Sequence, residues 1–197
     1  MSCLCYIYAM SFNETDEEII ISYKNGDQEA FKGLINRYTS PLYNFIARTT
    51  NKNDAPDMVQ EVFIKVWKNI NRFDENKASF KTWIFTIARN TAKDFFKKKR
   101  SLLFSDIERN ENEDINSFAE NIPDESLLPD EILKRLEDSK FLNKILDKLN
   151  INYKEILILH YQEEMTFDEI GKILNKPLNT VKSQHRRAII ELRKLIN

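Results

Sequence analysis

The sequence predicts an all-α protein in which an acidic, flexible linker joins two small helical domains. Apolar residues recur every three or four positions through most of the 197 residues, and only three glycines and five prolines are present, which disfavours a turn-rich β fold. The stretch 101–131 has no sustained apolar period and holds ten acidic residues against one basic residue. We therefore expect an N-terminal tail over 1–15, a first domain over 16–100, a linker over 101–130 and a second domain over 131–197.

Apolar periodicity and turn signals place four helices in each domain. In the first domain the predicted helices are Asp16–Asn25, Asp27–Arg48, Asp54–Asn69 and Phe80–Lys99. In the second domain they are Glu131–Leu149, Tyr153–Tyr161, Phe167–Leu174 and Thr180–Ile196.

The composition argues against several classes of protein. Cys3 and Cys5 are too few for a disulfide framework or a cysteine-based zinc site, and the two histidines are far apart in sequence. We therefore expect no cofactor, no bound metal and no catalytic residues. The apolar stretch 2–10 is too short to span a bilayer and lacks a basic flank, so we expect a cytoplasmic protein without direct membrane insertion. A further hypothesis is that translation begins at Met10.

The most informative segment, Thr166 to Arg187, predicts a helix-turn-helix. Its first helix carries an apolar stripe, Gly171 leaves room for a close crossing, and Asn175 tolerates the left-handed backbone of a tight turn. Asn179 or Thr180 is expected to cap the second helix through a side-chain oxygen.

The second helix of this motif has a basic outer side and an apolar inner side. The outer residues are Lys182, Ser183, Gln184, Arg186 and Arg187, and the inner ones are Val181, Ala188 and Leu192. A helix that projects basic and amide side chains from one face suits the DNA major groove. The alternative is a surface helical hairpin with solvated charges.

The helix around residues 57–67 combines a core stripe with a second, mostly polar face. Apolar residues at core spacing are Val59, Val62, Phe63, Val66 and Trp67. The remaining face carries Asp57, Gln60, Glu61, Ile64 and Lys65. Carboxylates and an amide beside an apolar residue are suited to docking on a basic helix of a partner.

A polar loop, 73–79, precedes the fourth helix, whose end is strongly basic. The expected inner side consists of Phe80, Trp83, Ile84, Ile87, Ala88 and Thr91, whereas Lys81, Arg89, Asn90 and Lys93 point elsewhere. Basic residues beside aromatics, amides and a polar loop suit single-stranded nucleic acid, which requires neutralised phosphates and faces for unpaired bases.

Three segments in this order resemble bacterial σ70-family initiation factors: DMVQEVFIKVW, FKTWIFTIARNTAKDFFKKKR and TFDEIGKILNKPLNTVKSQHRRA. The two-domain organisation resembles the extracytoplasmic-function (ECF) group, and the resemblance extends from Asp16 to Asn197. It implies a transcription initiation factor that binds core RNA polymerase, directs it to promoters through the −35 and −10 elements and assists promoter melting. The first domain would then be σ2-like and the second σ4-like.

The resemblance also implies roles for individual residues. The surface for the β′ clamp helices of polymerase would comprise Asp57, Gln60, Glu61, Phe63 and Trp67. Contacts to the −10 element would come from Phe73, Asn76, Lys77, Ser79, Trp83, Arg89, Asn90 and Lys93. Contacts to the −35 element would come from Thr180, Lys182, Ser183, Arg186 and Arg187. His185 departs from the pattern, because an apolar residue is usual there. The polymerase β subunit would be a further contact, and an anti-sigma partner is a hypothesis from the resemblance alone.

Two other functions compete with this one. A helix-turn-helix regulator independent of polymerase accounts for 166–187 equally well, but it does not explain the face around Gln60 or the aromatic and basic fourth helix. A metal-dependent nucleic-acid hydrolase would need convergent carboxylates. Asp57 and Glu61 are four residues apart on one helix, a spacing that usually indicates surface charge.

Overall fold

The computed structural model describes residues 14–50, 52–103 and 145–196, and every regular element within these ranges is helical. The predicted linker beyond residue 103 and the tail before residue 14 lie outside the described residues, as does most of the predicted helix 131–149. The α-helices are α1 (Asp16–Lys24), α2 (Ala30–Thr49), α3 (Ala55–Asn69), α4 (Phe80–Leu103), α5 (Ile151–Leu157), α6 (Phe167–Leu174) and α7 (Leu178–Ile196). A 3-10 turn (Ile70–Arg72) follows α3, and a π-helical turn (Ile158–Gln162) follows α5.

The first domain packs α1–α4 around an aromatic and aliphatic core. Thr15 caps α1 in a capping box with Glu18, and Asp16 then binds both Arg37 and Tyr38, which fixes α1 on α2. Phe45 on α2 meets Phe85 on α4 edge-to-face at a centroid distance of 5.5 Å. The core side chains Leu34, Leu42, Phe45, Val62, Val66, Phe80 and Ile84 are all fully buried.

The second domain consists of α5, the π-helical turn, α6 and α7. One small cluster joins the segment 145–149 to α7 through Ile145, Leu146, Leu149, Leu157, Ala188, Ile189 and Leu192. The other buried apolar residues of the second domain pack into the hydrophobic cluster that forms the core of the first domain. They are Ile156, Ile158, Leu159, Met165, Ile170, Ile173, Leu174 and Val181. The two domains therefore share a core, with α4 between them.

Two details of the sequence prediction are wrong. Trp67 was assigned to the core stripe, but it is 54% exposed. It lies only about 60° around the helix from exposed Ile64, so it belongs to the outer face. Asn179 and Thr180 do not cap α7, because that helix begins at Leu178, with Val181 N donating to the Pro177 carbonyl at 3.1 Å. They lie within its first turn instead.

Across the described residues, none of the helices combines the length and the apolar character that a bilayer span requires. The same residues contain no group of three or more metal-ligating side chains placed to hold an ion.

Candidate functional surfaces

The outer face of α3 is an exposed strip with an apolar centre and polar edges. Ile64 and Trp67 are 51% and 54% exposed, and the exposed Asp57, Gln60 and Glu61 flank them. Solvent-facing apolar anchors surrounded by polar groups are typical of protein–protein interfaces. Four of the five residues predicted for polymerase binding thus lie exposed on this face. Phe63 is half-buried and packs against the core beneath it.

Lys65 anchors the edge of this strip to α4. Its ammonium lies 2.9 Å from Glu61 Oε1, donates to Thr91 Oγ1 at 3.0 Å and is 3.9 Å from Asp94. Because Lys65 holds Glu61 against α3 and reaches the next helix, it fixes the position of one carboxylate of the strip.

The loop between α3 and α4 has a shape imposed by Asp74. Its Oδ1 accepts hydrogen bonds from the backbone and side-chain nitrogens of Asn76, both at 3.1 Å, and its Oδ2 lies 3.4 Å from Lys77 Nζ. The bonds from Asn76, then those of Lys77, lower the pKa of Asp74, so the carboxylate stays ionised. Asn76, Lys77 and Ser79 are exposed on this pre-shaped loop.

Aromatic packing supports the base of the same loop. Phe73 and Trp83 are half-buried, with ring centroids 5.4 Å apart, and both rest on the fully buried Phe80, at 5.5 and 5.7 Å. Phe73 and Trp83 are therefore partly exposed aromatic side chains close to the polar loop, the type of side chain on which unpaired bases stack.

The remaining residues predicted to contact the −10 element all lie on α4, but they differ in exposure. Asn90 and Lys93 are exposed, whereas Arg89 is only 6% exposed and faces the second domain. Arg89 Nε lies 3.2 Å from Glu155 Oε2, and its Nη1 donates to the Ile173 carbonyl at 3.5 Å. The structure thus does not group Arg89 with Asn90 and Lys93 on one open surface.

The helix-turn-helix has the local geometry that its sequence predicts. Thr166 and Glu169 form a reciprocal capping box at the start of α6. Asn175 ends that helix in the left-handed region, with φ 53° and ψ 50°. A Cβ on Gly171 would lie 2.9 Å from the Lys176 carbonyl oxygen, so glycine is required by the backbone of the turn rather than by the second helix.

The outer side of α7 presents the residues predicted for −35 recognition. Lys182, Ser183 and Arg187 are exposed, and Thr180 and Arg186 are half-buried. Ser183 Oγ donates to the Thr180 carbonyl at 2.9 Å, which orients its hydroxyl along the helix. All five residues occupy the N-terminal and central turns of α7, the part of a recognition helix that enters the major groove.

His185 occupies an inward position of the recognition helix and is 3% exposed. Its ring lies 5.2 Å from that of His160 and 4.9 Å from that of Phe167, and its Nε2 is 3.2 Å from the Tyr161 hydroxyl. Burial, followed by the charge of His160, lowers its pKa to about 4. The neutral imidazole thus takes the place of the apolar residue expected there.

Sequence reasoning missed two sets of residues that shape these surfaces. The first is Asp74, although a carboxylate two residues before an amide is a recognisable turn signal. The second consists of Glu155, Glu163 and Glu169 of the second domain, which contact donors on α4 and just before it. Nothing local in the sequence indicates those contacts. Glu163 and Glu169 are more than eighty positions away from the residues they contact, and Glu155 is 66 positions away from Arg89.

Comparison with known proteins defines the class. The sequence profile of Sigma-70 region 2 matches residues 34–102, and that of Sigma-70, region 4, matches residues 142–192. These profiles cover the exposed strip of α3 and the helix-turn-helix, respectively. The chain therefore combines the two domains that define a sigma-70-type factor.

Curated relatives narrow the class to one group. The ECF RNA polymerase sigma factor SigW of Bacillus subtilis is 34% identical over 172 residues, which cover 87% of this chain and 91% of that protein. The ECF RNA polymerase sigma-E factor of Escherichia coli K12 is 30% identical over 183 residues, which cover 91% of this chain and 93% of that protein. The chain belongs to the ECF sigma factor family and is a promoter-specific transcription initiation factor. The regulator independent of polymerase is not favoured.

Solved structures have the same fold. CnrH in complex with the cytosolic domain of CnrY superposes with a TM-score of 0.65 at 21% identity, covering 93% of this chain and 97% of that one. The sigma factor RpoE in complex with the anti-sigma factor NepR from Bartonella quintana gives a TM-score of 0.63 at 23% identity, covering 84% and 96%.

Proposed function

We propose that this ECF sigma factor initiates transcription through three separate surfaces. The strip on α3 docks on core RNA polymerase at the β′ clamp helices, the loop 73–79 with α4 contacts the −10 element, and the outer side of α7 contacts the −35 element. The observation that carries this assignment is the strip on α3, since a DNA-binding regulator has no need for exposed Ile64 and Trp67 between carboxylates.

The small positive charge on the DNA-facing side of α7 explains why specific DNA binding is expected to require polymerase. The described DNA-facing side of α7 offers few cations, and binding that neutralises few phosphates releases few counterions and is correspondingly weak. On the polymerase, two DNA-contacting domains act together at a raised effective concentration. Capture of an extruded base in the loop 73–79 then offsets part of the few kcal/mol that unstacking each base costs.

The chain itself catalyses no covalent step in this proposal. Its residues position and hold DNA, while the polymerase supplies the metal ions and the chemistry. We further propose that it acts in the cytoplasm with the polymerase. An anti-sigma partner is part of the proposal, since the solved structure of RpoE from Bartonella quintana is a complex with the anti-sigma factor NepR.

A binding experiment separates this function from that of a free-standing regulator. Fragmented genomic DNA from the same organism is incubated with the full chain, with and without core polymerase, and specifically retained fragments are sequenced. We expect specific retention only when polymerase is present. Specific retention by the chain alone, unchanged on adding polymerase, would contradict the proposal.

Two variants and a matched control test whether DNA retention depends on the strip on α3 and on the outer side of α7. Gln60→Ala/Glu61→Ala should abolish retention by lowering polymerase binding, whereas Arg187→Ala should leave polymerase binding intact and reduce DNA retention. Lys52→Ala changes an exposed residue outside the assigned surfaces and should change neither.

A further inference from the structure

Gln184 lies at the border between the buried side and the outer side of α7. It is half-buried and lies one helical turn from Thr180 and Arg187, two of the residues predicted to contact the −35 element. Its other neighbours at this spacing, Val181 and Ala188, are fully buried. The amide of Gln184 therefore follows the edge of the surface that enters the major groove in a recognition helix.

The amide oxygen of Gln184 accepts a hydrogen bond from Lys176, in the turn that precedes α7. Lys176 Nζ donates to Gln184 Oε1 at 3.1 Å and to Asn152 Oδ1, near the start of α5, at 3.3 Å. All three side chains are half-buried. Because these residues belong to the turn, to α5 and to α7, the ammonium group ties the amide of Gln184 to the rest of the domain.

This contact fixes which way the amide of Gln184 is turned. An ammonium group has three donors and no acceptor, so only the oxygen of an amide hydrogen-bonds to it. When Oε1 faces Lys176, the two N–H donors of Nε2 face away from it and are the part of the amide left for DNA. A glutamine that reads adenine needs both halves of its amide, since it accepts from N6 and donates to N7.

We propose that Gln184 is a specificity-determining residue for the −35 element and that Lys176 positions it as a hydrogen-bond donor. The base that fits a donor best is guanine, because its O6 and N7 are both acceptors in the major groove, whereas thymine offers only O4 beside a methyl group. Lys176 does not touch the base and acts only through Gln184. The proposal rests on the proposed function, which assigns the outer side of α7 to the −35 element.

Base preference is measured with the full chain bound to core polymerase. A genomic fragment retained by this complex is rebuilt with its −35 region randomised, and the bound sequences are counted against the input library. For the parent we expect guanine at one position, favoured about tenfold over adenine, as for a two-bond contact to a base. Gln184→Ala should abolish the preference at that position and leave the other positions unchanged.

Two further variants change the donor and acceptor pattern without removing the side chain of Gln184. Lys176→Met frees the amide to turn, so the preference for guanine over adenine should fall about tenfold at the same position. Gln184→Glu keeps a contact with Lys176 as an ion pair but replaces the donors by an acceptor, so the preference should move to cytosine, whose N4 donates.

Lys172→Met is the matched control for Lys176→Met. It removes an equal charge from an exposed site on α6, where Lys172 pairs with Asp168 at 3.0 Å. A charge that acts only on phosphates changes affinity for all sequences alike, so the base preference should stay as in the parent. Far-UV circular dichroism and binding to core polymerase confirm that each variant is folded.

Two results would overturn the role of Gln184 and leave the proposed function intact. The first is a parent that selects a −35 sequence which Gln184→Ala does not alter. The second is a Lys176→Met variant that binds every sequence more weakly but keeps the base preference of the parent. If the parent with polymerase retains no specific fragment or selects no −35 sequence, the proposed function fails, and the role of Gln184 fails with it.

Discussion

Protonation of His185 is expected to destabilise the second domain as the pH falls. Its pKa is lowered from an ordinary 6.5 to about 4, because it is buried against His160, Tyr161 and Phe167. Between these two pH values the unfolded chain takes up a proton that the folded chain excludes. The stabilisation is therefore complete above pH 6.5 and is lost as the pH falls toward 4. The difference between the two pKa values corresponds to about 3 kcal/mol in the free energy of unfolding, of which about 2 kcal/mol is lost between pH 7 and pH 5.

Urea unfolding of the full chain, followed by far-UV circular dichroism at several pH values, measures this loss. Carboxylates also titrate in that range, so the relevant quantity is the difference between the parent and His185→Leu. The variant loses the bond to the Tyr161 hydroxyl at every pH, which costs about 1 kcal/mol, but it has no proton to take up at this position. We expect the parent to lose about 2 kcal/mol more than the variant between pH 7 and pH 5. The reasoning would be refuted if the free energies of unfolding of the parent and the variant changed in parallel with pH. It would also be refuted if NMR showed the imidazole of His185 titrating near pH 6.5.

Two further predictions concern the turn of the helix-turn-helix and the strip on α3. Gly171→Ala should lower the free energy of unfolding by about 1–3 kcal/mol in urea titrations, because the new Cβ meets the Lys176 carbonyl at 2.9 Å. Gly33→Ala, whose Cβ meets only a flexible side-chain end at 3.4 Å, is the control and should be nearly neutral. Trp67→Ala should weaken binding to core polymerase about 30-fold, as for an interface residue worth about 2 kcal/mol, and change stability by less than about 0.5 kcal/mol. Ile21→Ala removes an equally exposed apolar side chain on α1; if it weakens polymerase binding as much, the strip is not specific.

Local patterns predicted most of the helical elements well. The turn at Asn175, the inward positions of Val181 and Ala188, and the bounds of α6 follow from short-range periodicity and backbone preference, and the structure confirms each. Trp67 was misplaced because an apolar residue at the margin of a stripe fits either face. Only the packing of neighbouring helices decides between the two.

Contacts between the domains could not be predicted in this way. Helical periodicity identifies one buried stripe, yet α4 has two, since Thr82 and Arg89 are covered by the second domain. A buried arginine is indistinguishable in sequence from a solvated one, because its burial depends on Glu155 far along the chain. The roles of individual residues in binding polymerase and DNA remain predictions.

Run-off transcription on fragmented genomic DNA, with purified core polymerase from the same organism, tests the central claim most directly. We predict discrete new transcripts when the chain is added, their loss with Gln60→Ala/Glu61→Ala or Arg187→Ala, and their retention with Lys52→Ala. An unchanged transcript pattern on adding the folded parent chain would contradict the assignment of this protein to promoter-specific initiation.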